Sequence, residues 1–157
     1  MESPVVPGIV LALHLVAIMW IDFQRLIIPN TLSLSLAVCG LAVSVFVFNQ
    51  TAMNDFLASG MTLTIFLLIS KFYNVLRNRH GIGAGDLKFL GAAAAWIGLM
   101  GVPWVILIAS ISGLMFAVAS SMYGHALKTD SRIAFGPHLS LGLMITWLLR
   151  DSIAPQV

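Results

Sequence analysis

Residues 89 to 122 read FLGAAAAWIGLMGVPWVILIASISGLMFAVASSM, from Phe89 to Met122, without one charged side chain. At about 1.5 Å per residue a single helix over this stretch would reach ~51 Å, against a bilayer hydrocarbon core of ~30 Å. It is therefore expected to form two helices. Gly101-Val102-Pro103 lies within it, and glycine with proline favours a break there. The same pattern holds on either side. Upstream, Val5 to Ile21 is apolar and ends at Asp22 and Arg25. Thr31 to Phe48 opens after Pro29-Asn30 and ends at Asn49-Gln50. Phe56 to about Leu76 has Lys71 near its end. A polar, glycine-rich segment, Arg77 to Lys88, precedes the long stretch. Another, Gly124 to Ile133, follows it, and Ala134 to Leu149 is the last apolar run.

The expected architecture is all-α: one membrane-embedded domain over residues 1–157 with six transmembrane helices. Backbone groups in lipid must pair within their own segment, which favours helices. The alternating ten-residue pattern of a transmembrane barrel is absent, and no internal repeat is evident. Composition agrees. Apolar residues make up 59% of the 157 and charged residues 9%, where a soluble domain carries about 25% charge. The mean hydropathy is +0.99. These values exclude an ordinary soluble enzyme, a disordered chain and a nucleic-acid binder with a basic face. The lipid bilayer is the implied partner. Cys39 is the single cysteine, so neither an internal disulfide nor a zinc-binding cysteine pair is possible. No cleavable signal peptide is evident, because Glu2 stands where a basic region would be needed.

The basic residues give an orientation. Arg25 lies between runs one and two. Lys71, Arg77, Arg79 and Lys88 cluster between runs three and four. Lys128 and Arg132 lie before the last run. Seven of the eight basic residues thus fall at alternate connections, and Arg150 is neighboured by Asp151. By the positive-inside rule those connections are cytoplasmic and both termini are outside.

Among the six acidic residues, Glu2, Asp55 and Asp151 fall on the outer side by this topology. Asp130, between Lys128 and Arg132, is a loop charge. Asp22 and Asp86 remain, both at cytoplasmic helix ends. An ionisable group at membrane depth is costly and is by default a functional candidate; the bland alternative is a charge that merely marks a helix end. Asp86 stands in Gly81-Ile82-Gly83-Ala84-Gly85-Asp86-Leu87-Lys88. Alternating glycines remove side-chain bulk and would let an extended peptide approach, though glycines also serve plain helix packing. A phosphate cradle is excluded, since no Gly-Lys-Ser/Thr follows. Two carboxylates sharing one proton can act on an amide as general base and general acid, without a metal or a nucleophilic side chain.

Gly83-Ala84-Gly85-Asp86 matches the GxGD signature of membrane aspartyl proteases. With Asp86-Leu87-Lys88, Phe89-Leu90-Gly91-Ala92 and Ala95-Trp96-Ile97-Gly98 it resembles the second-aspartate region of type IV prepilin peptidases. Asp22 with Ile28-Pro29-Asn30 resembles their first-aspartate region, and Phe135-Gly136-Pro137 with Leu141-Gly142 their last-helix motif. The resemblance spans residues 22 to 142. It implies an aspartic endopeptidase of the cytoplasmic (inner) membrane that removes the leader of prepilin or pseudopilin precursors at the cytoplasmic face. Asp22 and Asp86 would be the catalytic pair. Gly83, Gly85, Lys88, Pro29, Asn30, Gly136 and Pro137 would shape the active-site loops and the substrate's approach.

Some features depart from the long family members, which carry paired cysteines linked to zinc and to methyl transfer. The connection after Asp22 is short and Cys39 is alone, so methyltransferase activity and a cofactor are not expected. The chain resembles the short, TadV/CpaA-like form found with Flp-type (tight-adherence) pili. Ala134 and His138 replace the proline and the aromatic residue expected in the last motif. His14, His80, His125 and His138 lack metal-ligand spacing, so no metal site is expected; His138 could border the active site. A small proton- or cation-coupled transporter using the same aspartates is the alternative from another class. It predicts charges near the midplane and paired broken helices in related halves.

Overall fold

A computed structural model describes residues 5–47, 52–77, 83–122 and 134–150. Among the described residues five helices follow in order: α1 (Val5–Arg25), α2 (Asn30–Phe46), α3 (Ala52–Arg77), α4 (Ala84–Met122) and α5 (Gly136–Leu148). Three are long and apolar enough to cross a membrane: Val5–Arg25, Met53–Leu76 within α3, and Ala84–Met122. Asn30–Phe46 is apolar but shorter. Large apolar side chains such as Trp20, Phe23, Phe46, Phe72, Met115 and Leu148 point outward, as a lipid solvent requires and water does not tolerate at this density. Glu2, Arg79, His80, Gly81, His125, Lys128, Asp130, Arg132 and Asp151 lie outside the described residues.

Among the described residues five elements stand where six helices are expected, and the reason lies in α4. Its 39 residues form two helical arms joined at a kink, with non-helical backbone at Gly98 (φ 66°, ψ 176°). The break is therefore at Gly98 rather than at Gly101-Val102-Pro103. That backbone region is essentially closed to residues with a Cβ. Gly101 and Pro103 are helical. Gly101 instead leaves room for Ile97, whose Cβ would lie 2.8 Å from a Cβ at position 101. Pro103 has no N–H to offer the Leu99 carbonyl, which lies beside the break where the ladder is already interrupted.

The contacts show that the two arms of α4 run in opposite directions. The first arm starts beside the connection between α1 and α2, where Gly85 packs on Ile28 and Lys88 reaches Asn30. Further along, Trp96 donates its Nε1–H to the Leu36 carbonyl (2.8 Å) and packs on Gly40. This arm thus climbs alongside α2. The second arm returns: Val105 backs onto Gly142 in the middle of α5, and Gly113 faces Phe135 and His138 at its start. α1 is antiparallel to α5, with Gly8 against Trp147 at one end and Asp22 against Gly136 at the other. The end of α1, the starts of α2, α4 and α5, and the end of α4 therefore gather at one end of the bundle.

The first arm of α4 is the centre of the fold. Leu87 and every residue from Phe89 to Ile97 are buried, so the arm is apolar all round. Gly91 and Ala92 to Ala95 keep it thin enough for neighbours to approach closely. Ser59 on α3 donates to the Gly91 carbonyl at 2.6 Å, and a Cβ on Gly91 would meet Leu63 at 3.1 Å. At the opposite end of α2 and α3, the buried Ser44 donates to Asp55. α1 buries the stripe Pro7, Leu11, Leu15, Ile18 and Asp22. This is the spacing of one helix face, and it ends on a carboxylate.

Candidate active site

Asp22 is only 5% exposed. It occupies the last turn of α1, where the stripe that fills the core reaches the bundle's end. The Leu26 N–H closes that turn on the Asp22 carbonyl at 2.8 Å. Leu26 itself takes a left-handed conformation (φ 54°), which stops the helix and turns the chain toward α2. The side chain of Asp22 faces the first residue of α5: the Gly136 N–H donates to its Oδ2 at 2.7 Å. The first N–H groups of a helix have no partner within the helix, and such an end is a natural seat for an anion. Only glycine fits at 136. A Cβ there would lie 2.6 Å from Asp22 Oδ2 and 2.8 Å from its Cβ and Cγ.

Asp86 lies in the first turn of α4, half-buried. The Leu87 N–H bonds the Gly83 carbonyl at 3.3 Å, so the helix begins within the glycine-rich segment. The Asp86 carboxylate folds back on that segment; a Cβ on Gly83 would meet its Oδ2 at 3.0 Å. Gly85 lets the start of α4 press on Ile28, with a virtual Cβ 3.2 Å from the Ile28 Cβ and 3.4 Å from its backbone N. The segment carrying Asp86 thus abuts the connection that leaves Asp22, at the same end of the bundle.

The structure brings most of the sequence-named residues to this end. Pro29 is the N-cap of α2 in extended conformation (ψ 137°), with its carbonyl accepting from the Ser33 N–H at 3.2 Å. Asn30 Oδ1 accepts from Lys88 Nζ at 2.7 Å. Pro137 stands apart, on the outer seam of α1 and α5. There it lines an apolar groove of about 300 Å³ with Val16, Met19, Trp20 and Phe23. His138 lies beside Gly136 on the first turn of α5 and faces α4: its Nδ1 is 3.1 Å from Ser112 Oγ, and Phe116 and Phe135 pack on the ring. The Ser112 partner, the Gly136 N–H and the Lys88–Asn30 pair carry no signal in the sequence, since each joins residues on different helices. Among the described residues no group of three or more His, Cys, Asp or Glu side chains could hold a metal ion.

Residues 9–118 match the model of the type IV leader peptidase family. The chain belongs to that family. The matched region contains both aspartates of the site. Curated relatives agree. The chain is 36% identical over 130 residues to a prepilin leader peptidase/N-methyltransferase of Escherichia coli K12, covering 80% of this chain and 55% of the relative. It is 34% identical over 131 residues to one of Burkholderia pseudomallei (82% and 41%), and 28% identical over 149 residues to one of Neisseria gonorrhoeae (93% and 49%). The chain spans about half the length of these curated relatives. No solved structure matches. Within the family, the sequence motifs and the burial of Asp22 thus converge on one end of the bundle.

Proposed function

We propose that the chain is a membrane aspartic endopeptidase that removes the leader peptide of type IV prepilins, and that its substrates are of the Flp (tight-adherence) type. The observation that supports this reading is that Asp22, seated on the Gly136 N–H, and Asp86, on the turn that packs against Ile28, stand at the same end of the bundle. With one proton between the two, the ionised carboxylate takes a proton from water as its oxygen attacks the scissile carbonyl carbon. The protonated carboxyl gives its proton to the carbonyl oxygen. The resulting diol collapses as one carboxyl protonates the amide nitrogen, the C–N bond breaks, and the other carboxylate takes back a hydroxyl proton. The dyad ends with the single proton it began with. The position of both carboxylates at the bundle end supports this over a transport site, which would lie near the midplane.

The two arms of α4, together with α1, α2, α3 and α5, make six crossings in this proposal. Both termini lie outside and the dyad lies at the cytoplasmic face of the inner membrane. Its support is the reversal at Gly98 and the place of Arg25, Lys71 and Lys88, which belong to the ends of α1 and α3 and the start of α4, on the aspartates' side. Methyl transfer is not part of the proposal.

The test is co-expression with a Flp-type prepilin, followed by the precursor's size on a gel. The wild type should convert it to the mature size. Asp22→Asn and Asp86→Asn should insert normally and leave it uncut. Conversion by either variant would refute the dyad.

A further inference from the structure

We propose that Lys88 and Asn30 form a clasp that sets the separation of Asp22 and Asp86, so that both are positioning residues for the cleavage proposed above. Only residues 26–29 separate α1, which carries Asp22, from α2. This connection is fastened to α4 at two points. Ile28 lies against Gly85, and Asn30 Oδ1 accepts from Lys88 Nζ at 2.7 Å. The two fastenings bracket Asp86 along the chain, one residue before it and two after it.

The first fastening is a non-directional packing contact; the second is a directed, charge-assisted hydrogen bond. Helix stabilisation does not account for the second. Lys88 stands near the start of α4 and its ammonium sits on the first residue of α2, and the macrodipoles of both helices oppose a cation at those ends. Burial does not account for it either, since the pair is exposed. What the bond does is tie the connection leaving Asp22 to the turn that carries Asp86. A dyad acts through geometry, and a shift near 1 Å in a catalytic group costs on the order of 100-fold in rate.

The experiment measures kcat and KM for a Flp-type prepilin in detergent with wild type, Asn30→Ala, Lys88→Met, the double variant, Asn30→Asp and Lys88→Arg. Asn30→Ala and Lys88→Met should each lower kcat by about 10- to 100-fold with KM nearly unchanged. The double variant should be no worse than the poorer single one, because both remove the same bond. Asn30→Asp and Lys88→Arg keep an acceptor and a donor and should recover most of kcat. Full activity of Asn30→Ala would overturn the clasp. A raised KM confined to Lys88→Met would do so too, because the lysine would then act on the precursor directly. These inferences rest on the peptidase reading, and the two fail separately. A wild type that cuts beside unaffected variants defeats the clasp alone, whereas a wild type that leaves the precursor uncut defeats both.

Discussion

Replacing Gly136 by alanine should silence the site while leaving both aspartates in the chain. The new Cβ would stand 2.6 Å from Asp22 Oδ2 and 2.8 Å from Asp22 Cβ and Cγ. Carbon atoms rest at about 3.5 to 4.0 Å, so the carboxylate and the start of α5 must separate by roughly 0.7 Å or more. The 2.7 Å bond from the Gly136 N–H does not survive that in its present geometry. A hydrogen bond to a charged group contributes about 1.5 to 3 kcal/mol. If this is lost from the productive arrangement, the rate falls by about 10- to 150-fold, taking 1.36 kcal/mol per tenfold. The separate expectation for a misplacement near 1 Å, on the order of 100-fold, agrees. The assay is the initial rate of prepilin conversion on a gel, normalised to the amount of enzyme in the membrane fraction. Gly60→Ala is the control: nothing lies within 4 Å of a Cβ there, and alanine is the better helix former by up to about 1 kcal/mol. Gly136→Ala cutting within about two-fold of wild type, at equal abundance, would refute the reasoning that α5 seats Asp22 through this glycine.

Four further variants have expected outcomes. Gly98→Ala should destabilise the protein by about 1 to 3 kcal/mol through backbone strain alone, because the site has space for a Cβ but φ is +66°; a thermal midpoint in detergent equal to wild type would place the break elsewhere. Trp96→Phe should lower stability by about 1 kcal/mol by losing the bond to the Leu36 carbonyl, and Gly40→Ala by about 1 to 3 kcal/mol by crowding Trp96 at 2.7 Å. Both are read by thermal unfolding, and an unchanged midpoint in both would contradict the packing of α2 on α4. Asp55→Asn should retain cleavage, since Asp55 pairs with Ser44 at the end of the bundle away from the dyad; loss of cleavage in that variant at normal abundance would show that the chemistry is not confined to Asp22 and Asp86.

Much of the architecture was legible in the chain because the bilayer makes composition speak. Apolar runs bounded by Asp22, Pro29-Asn30 and the segment before Asp86 marked α1, α2 and the start of α4 with errors of a few residues. Asp22 falls on the buried stripe Pro7, Leu11, Leu15, Ile18, but the run before it is apolar on nearly every face, so its inward direction is shown by packing and not by spacing. The motif around Asp86 pointed to the family. The break in the long apolar stretch was misplaced because local preference names several candidates. Gly98, Gly101 and Pro103 all weaken a helix; the backbone turns at Gly98, and the returning arm packs on α5.

What the sequence determined by itself is the set of groups and their membrane setting: helices throughout, and two carboxylates at helix ends among small residues. These depend on hydropathy and local spacing, which are properties of consecutive residues. What only the tertiary structure decided is which groups meet. Gly136 is far along the chain from Asp22, and Lys88 from Asn30, yet each pair is joined by a hydrogen bond of 2.7 Å. Such pairs follow from the direction in which each helix runs and the depth to which it packs. The reversal at Gly98 and the thin, alanine-rich first arm of α4 set both, and no local rule contains them.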